Sequence, residues 1–244
     1  MIYREQLKIP SIHFCNDDYR NQIDAIDEDN TIVVTDPPFN IGYHYNEYKD
    51  NMDDDEYYFM LAELVERFPS VIIHYPEALH RLSYESGIIP QKVCSWVYNS
   101  NTARQHRDIA WYGVKPDFTK TLQPYKNPND KRIKERMARG LRGGRMYDWW
   151  NVNQVKNVSK SKTKHPCQMP LEVMKNIVST LPENKTIFDP FMGSGTTAIA
   201  CIELGYDFIG CEINKEYYEI AKGRINANVG LYREYEELNE ENHC

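Results

Sequence analysis

The chain has 244 residues, 41% of them hydrophobic, and a formal net charge of -7. This length suits one large α/β domain with an insertion, and the apolar fraction is sufficient for a core. No apolar run approaches the roughly 18 residues of a membrane helix and no signal-peptide pattern begins the chain, so we expect a soluble intracellular protein.

The first predicted strand end carries a carboxylate and two prolines. Ile32-Val33-Val34 predicts a buried strand, and Asp36-Pro37-Pro38-Phe39 follows it, at the end of the strand where open α/β sheets bind ligands. The Pro-Pro step lacks two backbone donors and fixes φ, which leaves rigid carbonyl acceptors beside a carboxylate and an aromatic ring. Such acceptors suit a planar amine. The alternative is a turn in which the prolines merely end the strand.

Further strands and helices alternate after this turn. Apolar residues between Asp54 and Phe68 recur at helical spacing and predict a helix, while Val71-Ile72-Ile73 and Val93 to Val97 predict buried strands. Alternation of this kind implies parallel strand pairing in a doubly wound sheet.

The charge is segregated along the chain. Residues 115–164 hold 14 Lys and Arg against 4 Asp and Glu, a net +10, so the remaining residues carry 15 minus 32, or -17. The stretch contains a predicted basic helix at 131–139 and the aromatic run Tyr147-Asp148-Trp149-Trp150. A DNA-facing insertion on an acidic scaffold would produce this asymmetry, and a solvated helix with packed aromatic residues is the alternative. The candidate DNA-binding residues are Lys131, Arg132, Lys134, Arg136, Arg139, Arg142 and Arg145.

A strand, a glycine turn and a helix follow the basic stretch. Thr186-Ile187-Phe188 predicts a strand, residues 189–197 contain the turn, and Ala198 to Leu204 predicts a helix. Glycines let the backbone approach a nucleotide-like ligand near the helix N-terminus, although they can also serve only to pass from strand to helix. The next strand, Phe208 to Cys211, ends at Glu212, where Rossmann units hold ribose hydroxyls. No Gly-Lys-Ser/Thr follows the turn, so an ATP-binding P-loop is disfavoured.

The remaining segments complete the predicted domain. Pro170 begins a helix over Leu171 to Leu181, and Asn214 is expected to cap a helix running to about Asn228. The polar, acidic residues 231–244 are expected to be disordered. The six cysteines, at 15, 94, 167, 201, 211 and 244, form no C-x-x-C pair, so we expect free thiols and no metal.

Taken together, these motifs resemble those of the S-adenosylmethionine-dependent amino-methyltransferases of DNA, which modify adenine N6 or cytosine N4. The Asp-Pro-Pro-Phe motif comes first, the basic stretch second, and His165-Pro166-Cys167-Gln168-Met169-Pro170 with the glycine turn last, an order that resembles the permuted β class. The resemblance covers most of residues 11–226 and implies a Rossmann-like, mostly parallel sheet with helices on both faces. It implies a catalytic domain formed by residues 1–112 and 165–230, an inserted target-recognition region at 113–164, and a tail at 231–244.

The resemblance also implies roles for individual residues. The catalytic set is Asp36, Pro37, Pro38 and Phe39: Asp36 and the Pro37 carbonyl would accept the amine hydrogens, and Phe39 would stack on the flipped-out base. Asn16 stands where glycine commonly precedes Asp17, and Met169 replaces the more usual lysine. The cofactor-binding set is Asp17, Asp36, His165, Pro166, Gln168, Asp189, Pro190, Phe191, Gly193, Ser194, Gly195, Thr196, Thr197 and Glu212.

The implied function is methyl transfer from S-adenosylmethionine to adenine N6 in double-stranded DNA, because aspartate at the first motif position is usual for adenine enzymes. Cytosine N4, an RNA substrate and a catalytically silent DNA-binding relative remain alternatives. Direct transfer needs no covalent nucleophile, so the cysteines are expected to take no part. A tyrosine-rich loop, with Tyr43, Tyr45 and Tyr48, is a candidate to close over the base. A homodimer and a cognate restriction endonuclease are candidate partners, and the cytoplasm of a prokaryote, or of a phage-infected cell, is the expected location.

Overall fold

The computed structural model describes residues 10–42, 44–45, 48–100, 103–155, 163 and 167–241. The strands are β1 (Ile12–Cys15), β2 (Thr31–Thr35), β3 (His44–Tyr45), β4 (Tyr48–Lys49), β5 (Ser70–His74), β6 (Lys92–Val97), β7 (His106–Tyr112), β8 (Leu122–Gln123), β9 (Gly144–Arg145), β10 (Trp149–Asn151), β11 (Thr186–Asp189) and β12 (Phe208–Cys211). The helices are α1 (Asp54–Arg67), α2 (Pro76–Ser86), α3 (Lys131–Ala138), α4 (Leu171–Ser179), α5 (Thr196–Leu204) and α6 (Lys215–Glu241).

Eight strands form one sheet in the order β1-β12-β11-β2-β5-β7-β6-β10. The five strands from β1 to β5 in this order pair in parallel, so their carboxyl ends share one edge of the sheet. The predicted doubly wound, mostly parallel sheet is confirmed. Strand β7 runs antiparallel to both of its neighbours, β5 and β6. The connection between β6 and β7, residues 98–105, is too short for a crossover helix, so these two strands pair in antiparallel fashion.

Both faces of the sheet are covered by helices. In β2, Ile32 and Val34 pack in one core cluster with residues of α4 and α5, whereas Val33 packs in the other with residues of α1. All five residues of β2 are buried, as expected for a central parallel strand covered on both sides. The continuous apolar run that predicted this strand therefore reflects burial on two faces.

Part of the predicted inserted region, residues 113–164, belongs to the main sheet and its core. Strand β10 pairs with β6 in the main sheet, and Trp150 packs edge-on against Trp111 of β7 at a centroid distance of 6.3 Å. Val114 and Phe118 also pack in this core. Burial of these large side chains anchors this part of the insertion to the main sheet.

Helix α6 begins where predicted and ends later. The Asn214 side chain accepts a hydrogen bond from the Tyr217 N–H at 3.1 Å, which is the expected N-cap. The helix continues to Glu241, so residues 231–241, predicted to be disordered, are helical. Residues after Gly230 are mostly good helix formers and include neither glycine nor proline, which favours this continuation. No helix among the described residues is both long and apolar enough to cross a membrane.

Candidate active site

A cleft opens at the carboxyl edge of the parallel strands. It encloses about 1130 Å³, including space open to solvent, which is sufficient for a nucleoside-sized ligand beside a base. Both predicted motifs contribute to its walls. The predicted site residues that line it are Asp17, Asp36, Pro37, Pro38, Phe39, Asp189, Pro190, Phe191, Gly193, Ser194, Thr196, Thr197 and Glu212.

Asp189 joins the two motifs. Its Oδ1 accepts hydrogen bonds from the Thr35 hydroxyl at 2.7 Å and the Phe191 N–H at 3.2 Å, and its Oδ2 accepts one from the Thr197 hydroxyl at 2.6 Å. Burial raises the pKa of Asp189 to about 6, and the three hydrogen bonds oppose this shift. This carboxylate therefore holds the end of β2 against the start of α5.

Glu212 fixes the glycine turn from the next strand. Its Oε2 accepts the Gly193 N–H and its Oε1 accepts the Asn214 N–H, each at 2.8 Å. Burial raises the pKa of this carboxyl. Each oxygen has further lone-pair capacity, so Glu212 can also accept from the two hydroxyls of a diol in the cleft.

Gly195 serves packing, and it does not line the cleft. It has a φ of +76°, and a Cβ at this position would lie 3.2 Å from the Ala221 Cβ of α6. Also from α6, Arg224 donates hydrogen bonds to the carbonyl and hydroxyl of Ser194. This clamp on the turn was not predicted, because a single arginine within a helix carries no motif signal.

Asp17 lies at the end of β1. Its side chain accepts hydrogen bonds from Asn21 at 2.9 Å and Gln22 at 2.8 Å, which lower its pKa. The Asn16 amide donates to the carbonyl of Glu212 at 2.7 Å. Asn16 therefore ties the ends of β1 and β12 together, which gives a structural reason for its presence where glycine is more common.

The Pro-Pro turn is held by a chain of hydrogen bonds. The Tyr75 N–H donates to His74 Nδ1 at 2.7 Å, so the ring proton lies on Nε2, which is 2.8 Å from the Tyr57 hydroxyl. The Tyr57 hydroxyl in turn donates to the Pro38 carbonyl at 2.5 Å. Burial lowers the pKa of His74 to about 3, so the imidazole stays neutral. Within the described residues, the Pro37 carbonyl accepts no hydrogen bond, and Pro37 lines the cleft.

Asp36 has a buried cationic neighbour. Arg107 of β7 places Nη1 at 3.5 Å from both Asp36 carboxylate oxygens, and its guanidinium lies 4.3 Å from the Phe39 ring centroid. Burial raises the pKa of Asp36 to about 7; the charge of Arg107 opposes the shift and Asp189 adds to it. Sequence reasoning missed Arg107 because it lies 71 residues from Asp36.

The segment before α4 only partly follows the prediction. Gln168 is buried and accepts a hydrogen bond from the Thr163 N–H at 2.8 Å, but it does not line the cleft. Its neighbours Cys167 and Met169 do line it. His165, Pro166 and Tyr43 lie outside the described residues, as do the side chains of Tyr45 and Tyr48.

The predicted DNA-binding residues are exposed and lie outside the cleft. The basic side chains of α3, Arg142 and Arg145 are all solvent-accessible. Tyr112, the last residue of β7, pairs with Ser70, the first residue of β5. The insertion therefore leaves the sheet at the edge opposite Asp36, and the structure does not bring these basic residues together with the catalytic motif.

The polar groups of the cleft fit S-adenosylmethionine. Asp17 and Glu212 line the cleft with acceptor oxygens, the groups that an adenine amine and a ribose diol require, and methionine side chains at positions 52, 60 and 174 add apolar walls. In the part of the chain that the structure describes, no group of three or more His, Cys, Asp or Glu side chains is placed to hold a metal ion. The five described cysteines are not disulfide-bonded, and Cys15 and Cys211 lie 3.5 Å apart at sulfur.

Comparison with known proteins gives the same assignment. A DNA methylase family model for N6 and N4 methyltransferases matches residues 68–223, more than half of the chain. The chain is 28% identical over 232 residues to the type II methyltransferase M.HpaI of Haemophilus parainfluenzae, covering 86% of this chain and 73% of the relative. It is 30% identical over 242 residues to M.BglII of Bacillus subtilis, covering 84% and 66%.

A solved structure is also similar to this chain. The crystal structure of the M1.HpyAVI complex with S-adenosylmethionine has a TM-score of 0.57 and 25% identity, and the match covers 88% of this chain and 99% of that one. With the cleft, its carboxylates and the Asp-Pro-Pro-Phe turn at one sheet edge, the chain belongs to the N6/N4 DNA methylases, which use S-adenosylmethionine as methyl donor.

Proposed function

We propose that this protein transfers a methyl group to the N6 amino group of an adenine flipped out of duplex DNA. The observation that supports this most directly is the position of the Asp36 carboxylate and of Pro37, both of which line the cleft. Phe39 contributes an aromatic wall next to both. A planar aromatic amine needs two acceptors and a stacking surface, and this turn supplies them.

The nitrogen of an aromatic amine is a poor nucleophile because its lone pair is delocalised into the ring. Asp36 and the Pro37 carbonyl, by each accepting one N–H, favour a pyramidal nitrogen with a localised lone pair. The Asp36 carboxylate also stabilises the positive charge that develops on nitrogen. When bound, S-adenosylmethionine supplies the electrophilic methyl group.

Residues of the second motif and of β1 would hold this cofactor. Glu212 would accept hydrogen bonds from the ribose hydroxyls, and Asp17 would accept one from the adenine amine. The glycine turn, fixed by Glu212 and Arg224, would hold the methionine part, and Phe191, which lines the cleft, would cover the cofactor. His165, Pro166 and Gln168 belong to this cofactor set through the family resemblance.

The choice of adenine depends on Asp36 at the first motif position. Sequencing at single-molecule resolution, applied to plasmid DNA treated with the purified protein and cofactor, tests the base and the recognition sequence together. We expect N6-methyladenine at one fixed sequence. N4-methylcytosine would replace the proposed base, preferential labelling of structured RNA in a competition would replace the substrate, and cofactor binding without methylation would indicate a silent relative.

Replacing Asp36 tests the mechanism. The Asp36→Ala variant should lose methyl transfer while its affinity for S-adenosylmethionine stays close to that of the parent protein, because Glu212 and Asp17 remain. Radiolabelled methyl transfer to DNA and calorimetric cofactor titration measure the two quantities. Asp29→Ala, which alters an exposed carboxylate outside the cleft, serves as the control. Unchanged turnover in Asp36→Ala would contradict the proposed chemistry.

A further inference from the structure

Arg107 is a buried cation that no sequence motif includes. Its side chain lies on β7 and the residue is 8% exposed. Arg107 does not line the cleft, but it contacts Asp36, the proposed catalytic carboxylate. Its Nη1 lies 3.5 Å from both oxygens of Asp36. A buried charge is costly unless it is paired, so this carboxylate is the reason that a guanidinium can occupy the position.

Aromatic rings and a thioether fix the orientation of the guanidinium. Its central carbon lies 4.3 Å from the ring centroid of Phe39, 5.4 Å from that of Trp96 and 5.9 Å from that of Tyr75. Nη1 also lies 3.8 Å from the Met169 sulfur. Among the described residues, Nε has no hydrogen-bond partner. The cation is therefore held mainly by ring faces, and its ion pair is directed at Asp36.

We propose that Arg107 is a positioning residue for methyl transfer, which holds the Asp36 carboxylate in its ionised form. The inference rests on the proposed role of Asp36. An ionised carboxylate offers only acceptor sites to the amine, whereas a protonated one presents an O–H and loses an acceptor. The amine would then keep a hydrogen bond only to the Pro37 carbonyl.

The groups around Asp36 define the expected pH dependence. Burial and the charge of Asp189 on β11 raise the pKa of Asp36 to about 7, and Arg107 on β7 opposes them. Tyr75, Tyr98 and Cys167 also interact electrostatically with Arg107. Asp36 is ionised above its pKa, so activity should fall as the pH drops through about 7. Without the cation, the pKa should rise by roughly 1 to 3 units.

The test is the pH dependence of the single-turnover rate at saturating cofactor and DNA, for the full chain and two variants. Arg107→Met removes the charge and keeps a long side chain. The acid limb of its pH–rate profile, where the rate falls at low pH, should move to higher pH by roughly one unit or more. Arg107→Lys keeps a charge, and its limb should stay near that of the parent protein. Arg81→Met, which removes a half-exposed arginine of α2, should leave the limb unchanged.

The outcomes separate the inference from the function on which it rests. An unshifted limb in a folded, active Arg107→Met variant overturns it. If Arg107→Met shows no cooperative thermal transition, Arg107→Lys becomes the deciding variant. An unshifted acid limb with a substantial rate supports the inference that the charge keeps Asp36 ionised. A collapsed rate with an unshifted limb means that the shape of the guanidinium matters, which overturns the inference. Turnover in Asp36→Ala would defeat the proposed function instead, whatever Arg107 does.

Discussion

The acceptors of the Asp-Pro-Pro-Phe turn are fixed by different partners. Arg107 contacts the Asp36 carboxylate, and the Tyr57 hydroxyl donates to the Pro38 carbonyl; in the proposed mechanism the Pro37 carbonyl is the second acceptor for the substrate amine. Neutral His74 anchors Tyr57. A rigid turn of this kind places both acceptors before the base arrives, which lowers the reorganisation that the reaction requires.

Removal of the Tyr57 hydroxyl should therefore affect catalysis and stability together. In Tyr57→Phe, the His74 Nε2–H and the Pro38 carbonyl lose their shared partner inside the protein, which should cost about 1 to 3 kcal/mol of unfolding free energy. The transfer rate should fall by roughly 10-fold or more, since a displacement of about 1 Å in an acceptor can cost about 100-fold. Urea denaturation and single-turnover rates measure the two effects.

The control for this change is Tyr84→Phe, at a position that is 80% exposed on α2. We expect it to match the parent protein in both measurements. If Tyr57→Phe keeps the full transfer rate while losing stability, the hydrogen-bond chain supports the fold alone and does not position the acceptors.

At the scale of elements, carboxylates at strand ends connect neighbouring units. Asp189 at the end of β11 binds hydroxyls of β2 and α5, and Glu212 after β12 binds the backbone of the glycine turn. Asn16 after β1 binds the carbonyl of Glu212. Hydrogen bonds thus link neighbouring strand ends along the cleft, so a substitution at one strand end should alter the position of the next.

Glu212→Ala should weaken binding of S-adenosylmethionine by roughly 1 to 3 kcal/mol, because the ribose hydrogen bonds are removed and the turn is looser. Calorimetric titration measures the affinity, and thermal denaturation shows how much of the effect comes from the turn. Glu219→Ala, an exposed carboxylate on α6, is the matched control. An unchanged affinity in Glu212→Ala would remove this residue from the cofactor site.

Local patterns predicted the elements whose burial is periodic or complete. The strands β2, β5, β11 and β12 are apolar runs covered on both faces, and the motif residues at three of their ends line the cleft. Strand β7 begins with polar residues and is defined by its pairing with β5 and β6, so no local pattern marked it.

Residues that act through distant contacts were missed for the same reason. Arg107 reaches Asp36 across β5, and Arg224 reaches the glycine turn from α6. Neither contact has a spacing that the sequence could reveal. The reversed direction of β7 also places the start of the basic insertion at the opposite sheet edge, which charge counting could not predict.

At the scale of the whole molecule, residues 115–164 carry a net charge of +10 and the remaining residues carry -17. A DNA duplex is attracted by the first and repelled by the second, so the basic stretch should decide where the duplex lies. Most of its basic residues fall in two groups. One comprises α3 with Arg142 and Arg145, on the segment that leaves the sheet at the far edge; the other comprises the lysines at 156, 160, 162 and 164, which follow β10 in sequence.

Salt dependence of DNA binding distinguishes these groups. If α3 binds phosphates, replacing Lys131, Arg132, Lys134, Arg136 and Arg139 by glutamine should reduce the slope of log affinity against log salt by about 0.9 for each phosphate that is no longer neutralised. Replacing Lys215 and Lys222, exposed on the acidic scaffold, should leave the slope unchanged. An unaltered slope in the α3 variant would contradict the proposed interface. The four lysines that follow β10 in sequence would then be the next group to replace.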